Sequence, residues 1–131
     1  MSEGHETGKA TAAEMARIAV AALEDKKAED VRMLDISDVS VLADYFIIAS
    51  GKNRNQLQAL KENVEEQMEK AGFFVKNVEG YDTAHWILMD YGDVILHIFD
   101  EESRTFFDLE RIWRDGKPVT PDAMNGNENG Q

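Results

Sequence analysis

Asp90, Asp93, His97 and Asp100 are the side chains of this sequence that come nearest to a reaction centre. Three carboxylates and an imidazole at this spacing could hold a divalent cation or pass a proton. A second candidate is Ser50-Gly51-Lys52, which follows a strand-like run and precedes a helix start, where backbone N–H groups can bind phosphate. Each has a simpler explanation. Asp90 and Asp93 flank Tyr91-Gly92, and aspartate is favoured beside a tight turn for its own backbone bonding. A lone His97 opposite an indole can be a packed surface residue. The phosphate-loop pattern lacks its leading glycine, and Asn53 after the lysine reads better as a helix cap. With no cysteine there is no thiol nucleophile, disulfide or thiolate metal site. No serine sits in a nucleophile elbow, and His5 and His85 have no neighbours that would complete a metal set. The expectation is no catalytic residue, no metal and no cofactor. The rival is a small metal-dependent nucleotidyltransferase or hydrolase using Asp90, Asp93 and His97.

The same residues belong to a β-hairpin. Apolar runs at 84–89 and 94–99 flank Asp90-Tyr91-Gly92-Asp93. A two-residue loop at Tyr91-Gly92 pairs Asp90 with Asp93, Leu88 with Ile95 and Trp86 with His97. Directly paired residues share a face, so Ile87, Met89, Val94, Leu96 and Ile98 project to one side, the core. The other side gathers Trp86, Leu88, Asp90, Asp93, Ile95, His97 and Phe99. That set is too apolar for open water and too polar for a closed interior, as in surfaces that meet a partner.

The remaining elements must position this hairpin. Thr11 and Glu14 form a capping box ahead of Met15, Ile18, Ala19 and Ala22, which predicts a helix from about 12 to 27. Val31, Met33, Leu34 and Ile36 can form a strand, Ser37 to Ala43 is ambiguous, and Asp44 to Ser50 is a clearer strand. Asn53 and Gln56 offer a second capping box. Leu57, Leu60, Val64, Met68 and Ala71 then mark one helical stripe, and Gly72 stands where a helix C′ residue belongs. A third strand is expected at 73–78, and a closing turn or short helix at 103–113. The order is α, β, β, α, β, β, β: a single α/β domain with a mixed five-stranded sheet, helices mainly on one face, and the helix at 53–71 crossing between parallel strands. The hairpin's aliphatic face should lie under the helices, and the Trp86 to Phe99 face should look outward.

The 131 residues suffice for one domain with a real core, and 43% hydrophobic with 31% charged residues is an ordinary globular balance. Net charge is −12, which argues against wrapping nucleic acid and suits a basic partner. Residues 1–10 and 116–131 are Gly-rich and polar, and are expected as disordered tails around a domain at 11–115. No run is long enough to span a bilayer and the start lacks a secretory apolar core, so a soluble cytoplasmic protein is expected.

Asp44 to Gly51, the Asn53-Arg54-Asn55-Gln56 helix start, Trp86 to Phe99, and Leu109-Glu110-Arg111-Ile112-Trp113 together resemble the ribosomal silencing factor (Iojap-like) family over about residues 11–115. The resemblance implies a domain similar to the nucleotidyltransferase fold without its enzymatic role. It departs from those enzymes in having Ser50-Gly51 in place of Gly-Ser, and carboxylates Asp90 and Asp93 separated by a turn. The resemblance further implies binding to the large ribosomal subunit through its protein fourteen, on the face where the small subunit docks, and hence repression of translation by blocking subunit joining. Trp86, Leu88, Ile95, His97 and Phe99 would form the centre of that contact. Asp90, Asp93 and Asp100 would line its margin, with Tyr91 at the turn tip. A weak homodimer through the same face is also expected.

Overall fold

The computed structural model describes residues 4–38, 40, 41, 43–80, 85–100 and 117–118. Helix α1 (Gly4–Asp25) begins well upstream of Thr11 and takes in part of the stretch expected as a tail. No proline interrupts 4–10, so nothing forces the backbone ladder to start at the Thr11 box. Ala12, Met15, Ala16, Ala19, Val20 and Leu23 recur at helical spacing and are buried. The helix closes at Lys27, whose φ of 65° lets its N–H reach Glu24 O and lets the N–H of Ala28 reach Leu23 O.

Strand β1 (Glu29–Asp35) carries a bulge between Glu29 and Arg32 and pairs antiparallel with β2 (Tyr45–Gly51). Helix α2 (Arg54–Lys70) starts at Asn53, whose side chain accepts from Gln56 N at 2.9 Å. Gln56 does not close a reciprocal box onto Asn53. Its Oε1 accepts from Lys52 N at 2.6 Å, and its Nε2 donates to the carbonyls of Lys26 and Lys27, tying the start of α2 to the end of α1. At the other end Gly72, with φ of +92°, donates to Glu69 O while Phe73 N reaches Met68 O, satisfying the last carbonyls.

That sharp exit delays the next strand. β3 (Asn77–Glu79) is shorter and later than the run 73–78 suggests: Phe73 and Val75 pack onto the core from irregular chain, and Phe74 is 67% exposed. β4 (Trp86–Asp90) and β5 (Val94–Asp100) form the hairpin, and Lys117–Pro118, within the stretch expected as a tail, form a two-residue β6 against β1. The expected closing segment 103–113 lies outside the described residues.

The sheet order is β3-β4-β5-β2-β1-β6, with β2 and β5 parallel and the other pairs antiparallel. β3 runs parallel to β2 across two intervening strands, so α2 is the crossover between them. Both described helices pack on one side. There Ile47 and Ala49 of β2 and Ile87, Met89, Val94, Leu96 and Ile98 of the hairpin join the helical apolar stripes in one buried cluster, as the parity of the sequence predicts.

Tyr91 also lies in this cluster at 4% exposure, and among the described residues its hydroxyl has no hydrogen-bond partner. Burial and the carboxylates of Glu65 and Glu69 raise its pKa, so it stays neutral. Removing an unpaired buried hydroxyl loses no bond. Tyr91→Phe is therefore expected to hold or raise stability, by up to about 1 kcal/mol, whereas Ile98→Ala in the same layer should lower it by about 2–5 kcal/mol; denaturant unfolding of both variants checks the pair.

Candidate functional site

The loop geometry sets the site. Gly92 has φ of +91° and stands first in a two-residue loop, as a type II′ turn requires, and Tyr91 N donates to Val94 O at 2.9 Å. The loop is thus Gly92-Asp93 in place of the expected Tyr91-Gly92. Trp86 pairs with Phe99, Leu88 with His97, and Asp90 with Ile95. The shift moves every pair by two positions, so the partition of faces survives although the expected Trp86–His97 and Asp90–Asp93 pairs do not.

On the side away from the helices, parallel pairing sets Phe46 of β2 beside Ile95, Ile48 beside His97 and Ser50 beside Phe99, and β1 adds Leu34 beside Phe46. Four rings run across this face. His97 meets Phe46 edge-on at 5.7 Å and stacks with Phe99 at 6.1 Å, and Trp86 stacks with His97 at 6.2 Å and with Phe99 at 6.4 Å. Trp86 Nε1 donates to His97 Nδ1 at 3.2 Å, diagonally across the hairpin. That bond needs the Nδ1 lone pair, so the proton of neutral His97 sits on Nε2. Burial pushes the imidazole pKa down to about 4.

The expected contact residues divide. Trp86, Leu88, Asp90, Ile95 and His97 lie together on the outward face, each half-buried. Phe99 faces the same way but is only 1% exposed, sealed with Ile48 among Leu34, Phe46 and Trp86. Tyr91 is not at an exposed tip: with the loop moved to Gly92-Asp93 its ring falls among the core residues beneath α2. Alternation along β5 turns Asp100 to the opposite side from Phe99, where its Oδ2 lies 2.7 Å from His85 Nδ1. His85 thus meets a single carboxylate of β5, which does not make a metal set. Asp93 is exposed within the loop and no longer shares a strand face with Asp90 and His97. Leu34, Phe46 and Ile48 are additions that the hairpin alone could not reveal. The alternation Phe46-Ile47-Ile48 was a visible signal, but which strand lies beside it was not.

Chemically the face offers apolar rings and few free acid–base groups. Asp90 Oδ1 accepts from Gly92 N at 2.7 Å, which is turn chemistry. Among the described residues no three or more His, Asp or Glu are grouped to hold a metal ion. No described helix is long and apolar enough to cross a membrane.

The chain is thus a small α/β domain with one sheet face closed by the described helices and a ring-centred face left half-buried. The chain belongs to the family described as ribosomal silencing factor during starvation, whose model matches residues 9–131. It is 42% identical over 99 residues, 76% of this chain and 84% of the relative, to a Bacillus subtilis protein named ribosomal silencing factor RsfS. A crystal structure of a Chromobacterium violaceum protein superimposes with a TM-score of 0.75 at 34% identity, over 81% of this chain and 88% of that one. A mouse protein named for mitochondrial assembly of the ribosomal large subunit is 26% identical over 98 residues, 72% of this chain and 42% of its own length.

His97 makes stability depend on pH. Its folded pKa lies below the ordinary value of 6.5, so between 6.5 and about 4 the unfolded chain binds the extra proton. Stability contributed by the neutral ring is therefore present above 6.5 and lost as pH falls toward 4. The expected loss is on the order of 1–3 kcal/mol, and the slope over that window should flatten in His97→Phe when unfolding is followed at several pH values.

Proposed function

We propose that this protein is a non-enzymatic repressor of translation that binds the large ribosomal subunit through its protein fourteen and, by covering that surface, keeps the small subunit from joining. The observation that carries the reading is the sheet face opposite the helices, with Trp86, Leu88, Ile95 and His97 half-buried at its centre. Family membership supports the ribosomal role, and the name of the mouse relative points to the large subunit. Leu34 and Phe46 extend the contact, and Asp90 and Asp93 form an acidic margin suited to a basic ribosomal protein. Phe99 supports the face from within, and Tyr91 and Asp100 drop out of the direct contact. Cytoplasmic location follows from the same reading. In the absence of ribosomes the face can pair weakly with its copy, which sedimentation across a concentration range tests.

The enzymatic alternative loses ground on geometry. Asp90 is spent on the turn and Asp93 has left the face of His97, so the three do not converge on one substrate atom.

Aromatic anchors at such interfaces lose about 2 kcal/mol or more on truncation. Trp86→Ala should fold and remain soluble yet bind purified large subunits roughly 30-fold more weakly in co-sedimentation. Asp93→Lys should weaken binding less, and chiefly at low salt. In a light-scattering assay of subunit joining, wild-type protein should slow the association and Trp86→Ala should not. Wild-type affinity in Trp86→Ala would put the contact elsewhere.

A further inference from the structure

We infer that His97 is a positioning residue for Trp86: its Nδ1 accepts the indole N–H and so holds the ring in the orientation in which the outward face presents it to the ribosome. The inference rests on the reading above and adds to it, because there His97 was counted as a contact in its own right.

Three observations carry it. The indole N–H, the one polar group of Trp86, is directed at a neighbouring side chain at 3.2 Å and not at bulk water. The two rings are stacked with planes 20° apart, and His97 is itself held between Phe99, nearly coplanar in orientation at 6°, and the edge of Phe46. The imidazole thus has little freedom of its own and can transmit its orientation to the indole. Gly80 lies against Trp86, where an added Cβ would come within 2.2 Å of Trp86 O and 2.8 Å of its Cε3, and the pairing of Trp86 with Phe99 in the hairpin ladder holds its backbone. A large ring with its backbone and its N–H both held has less rotamer freedom to lose on docking.

The test separates the acceptor from the ring. His97→Phe keeps an aromatic ring in the stack and removes the acceptor; His97→Asn removes the ring and keeps an oxygen close to the position of Nδ1. Indole N–H resonances, with that of Trp86 assigned by its loss in Trp86→Phe, report the hydrogen bond through chemical shift and solvent exchange. Co-sedimentation with purified large subunits reports affinity. In His97→Phe the Trp86 N–H should exchange faster with solvent, and binding should weaken by about three- to tenfold, the worth of one hydrogen bond. In His97→Asn both should return to within about twofold of wild type.

Several results would overturn the inference: wild-type affinity in His97→Phe, an unchanged indole resonance there, or a restored resonance in His97→Asn without restored affinity. Thermal melts of both variants show that each is folded, and if His97→Phe does not fold, His97→Leu replaces it. If Trp86→Ala itself binds like wild type, the docking face is wrong; if only the His97 variants do, the face stands and the positioning role alone fails.

Discussion

The parallel ladder between β2 and β5 decides both faces of this domain. Each is a central strand, so every pair along the ladder sends one neighbour under the helices and the next away from them. Ile47 beside Leu96 and Ala49 beside Ile98 go into the closed core; Phe46 beside Ile95 and Ile48 beside His97 go to the other side. The two described helices, joined through Gln56 at the α1 end and the α2 start, seal one face of this sheet. Burying each large aliphatic side chain is worth about 1.5–3 kcal/mol, which is why the wholly aliphatic set takes the helical side. The mixed set is left with partial burial.

Partial burial on that second side is ordered. Phe99 and Ile48 sit at its base, nearly without solvent contact, and the rings of Trp86, His97 and Phe46 lean on them. The imidazole cannot carry a charge here near neutral pH without losing both its apolar surroundings and the indole's hydrogen bond. Neutral His97 therefore belongs to the apolar surface. The outward face behaves as a patch of aromatic area tied by the indole–imidazole hydrogen bond, which differs from an acid–base site built of the same residue types.

Parity made much of this legible in the sequence, and chain reversal made the rest illegible. Alternation over 86–89 and 94–99 sorts side chains into faces whatever the loop length, provided the pairing sum changes by an even number. Moving the loop from Tyr91-Gly92 to Gly92-Asp93 changes it by two, so the faces were readable while the pairs were not. Tyr91 shows the cost of the misplaced loop: one residue decides whether the ring is at a turn tip or in the core. Asp100 was misplaced for a different reason, since charge suggested a margin where alternation had already turned the side chain away. Phe46 and Leu34 needed the knowledge that β2 lies beside β5, a contact between strands more than forty residues apart that no local pattern encodes. The helix boundaries tell the same story, since the Asn53 and Gly72 signals matched real ends while the Thr11 box fell inside a continuing helix.

On the proposed reading, charge and rings do separate work. The chain carries a net charge of −12, and Asp93 lies exposed at the rim of the outward face while the rings lie at its middle. Exposed charge acts across the Debye length of about 8 Å and mainly speeds encounter with a cationic surface. Apolar rings act only in contact and mainly slow departure. Such a division lets a small domain find a basic ribosomal protein quickly and stay on it by packing alone. It also explains why no catalytic group is required on this face: occupying a surface needs area, fixed shape and complementary charge at the edge, and the sheet leaves all three on the side its helices cannot reach.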